Sequence, residues 1–140
     1  MSLYFDASVL VALFVIDPSS ARAEVFLSAH PEIAIVSDFG VAEFSSAVGR
    51  RVRTRDLTRE DGQLAFSNFD AWVARSAYRE EITTADIDAA NRILRRLDVN
   101  LRTPDAIHIA IARRLEATLV TFDPSMATGA RALGIAVAAP

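Results

Sequence analysis

Ser2-Leu3-Tyr4-Phe5-Asp6-Ala7-Ser8-Val9-Leu10-Val11-Ala12-Leu13-Phe14 begins with a short apolar run, meets an aspartate, and continues as a second apolar run. The first run does not alternate apolar with polar residues. A strand of that kind is buried on both faces, as in a parallel sheet covered by helices on each side. Ser8 is placed to cap the helix that follows, which should stop before Asp17-Pro18. The stretch therefore reads as a buried strand whose carboxyl end carries an acid and feeds straight into a helix.

The rest of the chain repeats this rhythm. Ser20 to about His30 predicts a helix, and Ile33–Val36 a β-branched strand. Asp38 is expected to cap a helix reaching about Val52. Thr58-Arg59-Glu60-Asp61 resembles a capping box opening a helix to about Ser76, with Leu64, Phe66, Phe69, Trp72 and Val73 as its apolar stripe. A weak strand is expected around Glu81–Thr83 and a helix from Thr84 to about Leu97. Thr103-Pro104 predicts a cap with proline in the first turn of a helix spanning Asp105–Leu115. Thr118–Phe122 reads as a strand, Pro124 opens a further helix, and Ile135–Ala138 is a last strand. Strands alternating with helices predict an α/β fold, a three-layer α/β/α sandwich with a central, mostly parallel sheet. Such sheets bind ligands beyond the carboxyl ends of their strands, where Asp6, Asp38 and Asp123 fall.

The chain has 140 residues, enough for one compact domain covering 1–140, and 51% of them are apolar against 24% charged. It has no cysteine, which removes disulfides, thiolate metal sites and a cysteine nucleophile together. It also has no lysine, so a P-loop lysine and a Schiff base are excluded, and all 15 basic residues are arginine, the side chain that grips phosphate with a planar fork. The apolar run from Ala7 to Ile16 falls short of the roughly 20 residues a membrane span needs, and nothing basic leads into it. No membrane association and a cytoplasmic location are expected. The formal charge of −3 opposes a generic nucleic-acid binder, yet with Asp6, Glu43, Asp105 and Asp123 neutralised by a cation the remainder carries +1.

Taken singly, three of those acids have ordinary explanations. Asp6 can end a strand and help cap a helix, Asp105 suits the positive end of a helix dipole, and Asp123 before Pro124 can be a cap. Glu43 is different. It sits within a helix among Phe39, Gly40, Ser46 and Ala47, small or apolar neighbours that do not make a solvated face. A parallel sheet brings the ends of the first and fourth strands to one edge. Carboxylates gathered there repel one another unless a divalent cation intervenes, and oxygen donors alone select Mg²⁺ or Mn²⁺ over zinc. No G-x-S-x-G and no glycine-rich phosphate loop is present.

Tyr4-Phe5-Asp6-Ala7-Ser8, Val41-Ala42-Glu43-Phe44, Thr103-Pro104-Asp105-Ala106-Ile107-His108 and Leu119-Val120-Thr121-Phe122-Asp123, in that order, resemble the PIN-domain ribonucleases, in particular the VapC toxins of bacterial toxin–antitoxin pairs. The resemblance covers nearly the whole chain. It implies a PIN fold and a Mg²⁺- or Mn²⁺-dependent endoribonuclease acting on tRNA, rRNA or mRNA. It carries Asp6, Glu43, Asp105 and Asp123 over as the catalytic and metal-binding acids, with Asp6 and Asp105 the firmest match to ligands and Asp123 a ligand or a residue orienting water. Ser8 and Thr121 match supporting hydroxyls. A homodimer and a small antitoxin partner follow from the same resemblance.

Around this set, Arg50, Arg51, Arg53, Arg55 and Arg59, extended by Arg75 and Arg79, can be a solvated helix end or a contact patch for RNA or antitoxin. Glu80, Glu81, Asp86 and Asp88 read as surface charge, as do Arg92, Arg95 and Arg96. His108 is expected to be semi-buried and hydrogen-bonded, and Trp72 with its Phe neighbours to be core. The competing readings are a PIN nuclease of RNA processing or DNA flaps, a Mg²⁺-binding receiver-like signalling domain, which would want a late lysine, a haloacid-dehalogenase-like phosphatase, which needs Asp-x-Asp where this chain has Asp6-Ala7-Ser8, and a non-catalytic partner-binding domain.

Overall fold

The computed structural model describes residues 1–140. Its elements run β1 (Ser2–Phe5), α1 (Ala7–Phe14), α2 (Ser20–Ala29), β2 (Ile33–Ser37), α3 (Asp38–Arg53), α4 (Arg59–Ser76), β3 (Ala77–Glu80), α5 (Thr84–Leu94), α6 (Thr103–Arg114), β4 (Thr118–Val120), α7 (Pro124–Ala132) and β5 (Val137–Ala138). The five strands are all parallel in the order β3-β2-β1-β4-β5, with Leu3 opposite Ala34 on one side and Thr118 on the other. β1 is thus the centre of the sheet, which is why its residues are apolar on both faces.

Alternation along β1 divides the core. Leu3 and Phe5 point into a cluster with Val9, Leu10, Phe44, Val48, Ala65 and Phe69, drawn from α1, α3 and α4. Tyr4 points the other way, into Ala90 and Ile93 of α5, Ile109 and Ile111 of α6, and Met126 and Ala130 of α7. Helices α1–α4 therefore cover one face and α5–α7 the other, the three-layer sandwich read from the sequence. Trp72 packs edge-on to Phe5, with ring centroids 6.3 Å apart, and belongs to the core as expected.

Several local details differ from the sequence reading. Asp6, not Ser8, caps α1, and Ser37, not Asp38, caps α3 through its hydroxyl and the Gly40 N–H. Both observed caps directly follow or end a strand, where extended backbone leaves the side chain free to turn back on the first helical turn. The weak strand lies at Ala77–Glu80 and not at Glu81–Thr83. An edge strand tolerates the charged pair Arg79-Glu80, and so it lacks the apolar signal of the inner strands. Leu64, assigned to the apolar stripe of α4, is 57% exposed, whereas Ala65 and Phe69 carry that contact. The reciprocal capping box occurs at Thr83–Asp86 on α5, while at Thr58 the cap is the threonine hydroxyl accepting from Asp61 N–H.

Asp86, read as surface charge, is buried. Its carboxylate accepts from Arg114 Nε at 2.7 Å and Nη2 at 3.0 Å and from Thr83 N–H at 2.9 Å. Arg114 reaches further, to Glu80 at 2.7 Å and to the Glu81 carbonyl. Glu80 thus also belongs to a structural network that ties β3 and α5 to α6.

Helices α6 and α7 end in the same paired backbone closure. α6 closes through Ala117 N–H to Ala112 O and Glu116 N–H to Arg113 O, and α7 through Ile135 N–H to Ala130 O and Gly134 N–H to Arg131 O. This double closure requires a left-handed residue after the cap. In α7 that residue is Gly134 at φ 77°, but in α6 it is Glu116 at φ 50°.

Candidate active site

β1 ends at Phe5 because Asp6 turns the chain into α1. Asp6 is 2% exposed. Its Oδ1 accepts the Val9 N–H at 3.2 Å, satisfying the first turn of α1, and the Ser8 hydroxyl at 2.6 Å; its Oδ2 accepts the Thr121 hydroxyl at 2.6 Å. Burial pushes the Asp6 carboxyl above its ordinary range, a push that the Ser8 and Thr121 hydroxyls and the Val9 amide offset only in part. Ser8 and Thr121 face both ways. Ser8 Oγ accepts the Phe122 N–H at 3.0 Å, and Thr121 Oγ1 accepts the Asp123 N–H at 2.9 Å. The segment after β4 is thereby stitched to the start of α1, and Asp123 is one hydroxyl removed from Asp6.

Asp105 is the third residue of α6 and is 4% exposed. Its Oδ2 accepts the Arg102 N–H at 2.9 Å, with the Arg102 guanidinium 3.8 Å away. The residue in the cap position is Arg102, one before the Thr103 expected from sequence, with Pro104 in the first turn. Asp123 caps α7, its Oδ1 accepting from Ser125 and Met126 N–H at 2.8 and 3.1 Å. Asp105 and Asp123 line one hollow of about 240 Å³ together with Asn100, Arg102 and Ser125. Neither Asp105 Oδ1 nor Asp123 Oδ2 accepts a hydrogen bond.

Glu43 lies apart from that hollow. It lines a groove of about 830 Å³ between α1, the turn at Ile16–Ser19, and α3, with Ser8, Arg50, Arg51 and Phe122 in the same wall. Its Oε1 is hydrogen-bonded to Nε2 of His108, a residue 1% exposed. His108 Nδ1 is 2.7 Å from the Tyr4 hydroxyl, which is 2.7 Å from Ser37 Oγ. Burial and the nearby charges of Asp6, Glu43 and Asp86 hold the Tyr4 phenol far above its usual range, so it stays protonated. Of the arginine patch read from sequence, Arg50 and Arg51 reach the groove, Arg51 lying 3.6 Å from Asp17, while Arg79 pairs with Asp38 at 2.5 Å.

The four acids are therefore placed around one edge of the sheet but in distinct settings: Asp6 buried at the centre, Glu43 in the groove, Asp105 and Asp123 in the hollow. No three acidic or histidine side chains converge closely enough to enclose one cation by themselves. A magnesium ion asks for less, since it keeps several waters and takes one or two carboxylates. The donor set is oxygen throughout, Asp105, Asp123 and Glu43 each keep an oxygen outside any hydrogen bond, and a nearby cation would relieve the cost of ionising Asp6. These residues fit a hard divalent ion. Sequence reasoning passed over Tyr4, Ser37 and Arg102. A tyrosine in an inner strand reads as core, and only the fold reveals that its hydroxyl meets a histidine 104 residues away.

The PIN-domain family model matches residues 3–131. Ribonuclease VapC46 of Mycobacterium tuberculosis is 31% identical over 143 aligned residues, spanning 99% of this chain and 98% of that protein. Among solved structures, VapC20 of Mycobacterium tuberculosis, described as a sarcin–ricin loop cleaving toxin, superposes with a TM-score of 0.74 at 18% identity over 95% of both chains. VapBC2 of Rickettsia felis bound to a DNA fragment from its promoter superposes at 0.72 and 15% identity over 99% of this chain and 98% of that one.

Proposed function

Since the chain belongs to the PIN-domain family, we propose that it is a divalent-metal-dependent endoribonuclease and the toxin of a toxin–antitoxin pair, residues 1–140 forming one nuclease domain. The observation that carries this reading is the link from buried Asp6 through the Thr121 hydroxyl to the Asp123 backbone, beside the hollow that Asp123 shares with Asp105. The Thr121 hydroxyl ties Asp6 to the Asp123 backbone, and the Arg102 N–H holds Asp105 beside Asp123. VapC46, which spans the whole chain, is named a ribonuclease, and this supports the reaction class.

Asp105 and Asp123, which share the hollow and each keep a free oxygen, would hold Mg²⁺ or Mn²⁺ with water completing its shell, and Asp6 would add its charge from beside them. When bound, such an ion lowers the pKa of water and offsets charge on a phosphoryl group. The remaining work falls to the chain. Glu43 keeps Oε2 free in the groove, where it can accept a proton from water attacking phosphorus. Arg50 and Arg51 line the same groove and suit backbone phosphates on either side of the scissile bond. Arg102 sits at the rim of the hollow, 80% exposed as a side chain, and can follow the phosphate as charge builds. Ser8 and Thr121 fix the rotamer of Asp6.

A small antitoxin protein covering the acidic groove, a homodimer and a cytoplasmic setting complete the proposal. Structural neighbours described as VapBC assemblies support an antitoxin partner, and no helix is long and apolar enough to cross a membrane. The test is cleavage of labelled tRNA, rRNA and mRNA by purified protein with Mn²⁺ or with EDTA, beside Asp6→Asn and Asp105→Asn. Cleavage that needs the metal and is lost in both variants is expected. Cleavage surviving EDTA and both substitutions would rule the mechanism out.

A further inference from the structure

Resting on the nuclease reading of the acidic edge, we propose that His108, anchored by Tyr4, is the positioning residue for Glu43, fixing one carboxylate oxygen so that the other faces the groove. Glu43 projects from α3 with its side chain 30% exposed, and a glutamate so placed would otherwise sample several rotamers. His108 removes that freedom. With Glu43 as a carboxylate, which only accepts, Nε2 of His108 is the donor in this contact. The imidazole cannot swing away. It is buried, lies between Phe39 and Tyr4 with ring centroids 5.1 and 5.7 Å distant, and has Nδ1 tied to the Tyr4 hydroxyl at 2.7 Å. Tyr4 is itself held at 2.7 Å by Ser37 Oγ, which accepts the Gly40 N–H at 2.9 Å.

The chain of contacts thus leaves the first turn of α3, crosses β1, reaches α6, and returns to α3 one turn further on, at Glu43. A core histidine with only a packing role would end on a buried partner. This one ends on a groove carboxylate whose Oε2 accepts no hydrogen bond. α3 and α6 are thereby locked in register at the point where water must be oriented, and a displacement of about 1 Å there is costly to catalysis.

The test has two arms. In the first, the imidazole of ¹⁵N-histidine-labelled, metal-free protein is read by NMR. Protonated Nε2 with slow exchange in the wild type, and faster exchange in both Glu43→Ala and Tyr4→Phe, is expected; a freely exchanging Nε2 proton unaffected by Glu43→Ala overturns the proposal. In the second, RNA cleavage is measured with Mn²⁺. His108→Leu should lower kcat about 10–100-fold with KM nearly unchanged, His108→Gln, whose amide can replace the Nε2 donor, should recover most of it, and in a Glu43→Gln background His108→Leu should cost nothing more. Equal losses in both backgrounds would show a merely structural role. Tyr4→Phe, which removes one oxygen from the core, gives the same comparison if His108→Leu folds poorly. If wild-type protein cleaves no RNA, the nuclease reading fails, and the imidazole arm alone decides whether His108 holds Glu43.

Discussion

Asp86 and Arg114 form a two-pronged ion pair, Oδ1 to Nε at 2.7 Å and Oδ2 to Nη2 at 3.0 Å, that clasps α5 to α6. Asp86 is 1% exposed and the Arg114 side chain 32% exposed. Removing the arginine leaves a carboxylate buried with only the Thr83 hydrogen bonds. Arg114→Ala should cost about 3 kcal/mol, at the low end for a broken buried pair because Arg114 is partly wet, and lower the melting temperature by roughly 10 °C. Arg114→Lys should recover little, since an ammonium cannot span both oxygens. Burial pushes the Asp86 carboxyl up, but the Arg114 and Thr83 hydrogen bonds outweigh it and the net shift is downward. A depressed folded pKa stabilises above the unfolded value and is lost as pH falls through the folded one. The acid limb of the stability profile should therefore be steeper for wild type than for Asp86→Asn below pH 3.8. Parallel thermal melts between neutral and strongly acid pH measure the difference.

Asp6 behaves in the opposite sense. Its folded pKa is raised, chiefly by burial. The contribution of its neutral form is fully present below the unfolded value and disappears as pH rises through the folded one, above which the ionised side chain opposes folding. In EDTA, wild-type protein should lose stability relative to Asp6→Asn as pH climbs above 3.8, the ordinary aspartate value. At neutral pH the asparagine variant should melt higher than wild type without metal, and Mg²⁺ should raise the melting temperature of wild type alone. An asparagine variant less stable than wild type in EDTA at neutral pH would contradict this.

Thr121 supports two acids through one hydroxyl, donating to Asp6 and accepting from Asp123 N–H. Thr121→Val keeps the shape and deletes that hydroxyl. Divalent-ion affinity, followed by calorimetry, should weaken about 10–100-fold, with a parallel loss of cleavage at fixed Mn²⁺. Thr121→Ser should stay close to wild type.

Arg50 lines the groove and makes no ion pair, unlike Arg51, which leans on Asp17. If Arg50 meets a single phosphate, Arg50→Ala should weaken RNA binding and reduce the slope of log affinity against log salt by about 0.7. The loss should be nearly independent of RNA sequence. A titration series at several salt concentrations, in EDTA to prevent cleavage, provides the slope.

Much of this was legible in the sequence because it is local. The apolar run Leu3-Tyr4-Phe5 ending at Asp6 announces a central parallel strand, and Thr103-Pro104-Asp105 announces a helix start with an acid in its first turn. Two of the misreadings share one cause, namely partners distant in the chain. Asp86 looked like surface charge because Arg114, 28 residues on, is what admits it to the interior. The Tyr4 hydroxyl looked incidental because Ser37 and His108 approach it from β2 and α6. His108 is hydrogen-bonded as the sequence leads one to expect, but it is fully buried and not semi-buried, and nothing local indicates Glu43 as its partner. β3 was displaced because an edge strand carries charge, and the α1 cap was misassigned between two residues, Asp6 and Ser8, that turn out to hydrogen-bond each other.

The position of β1 at the middle of the sheet bears on how the protein comes into being. β1 precedes one of its two neighbours, β4, by more than a hundred residues, since β4 begins only at Thr118. The bond from Thr121 to Asp6 spans 115 residues, a stretch that synthesis at roughly 5–20 residues per second crosses in about 6–23 s. Until that bond can form, the growing chain lacks β4, Thr121 and Asp123, the parts that join Asp6 to the rest of the acidic edge. On the nuclease reading proposed above, the acidic edge is complete only after Thr121 and Asp123 have been made.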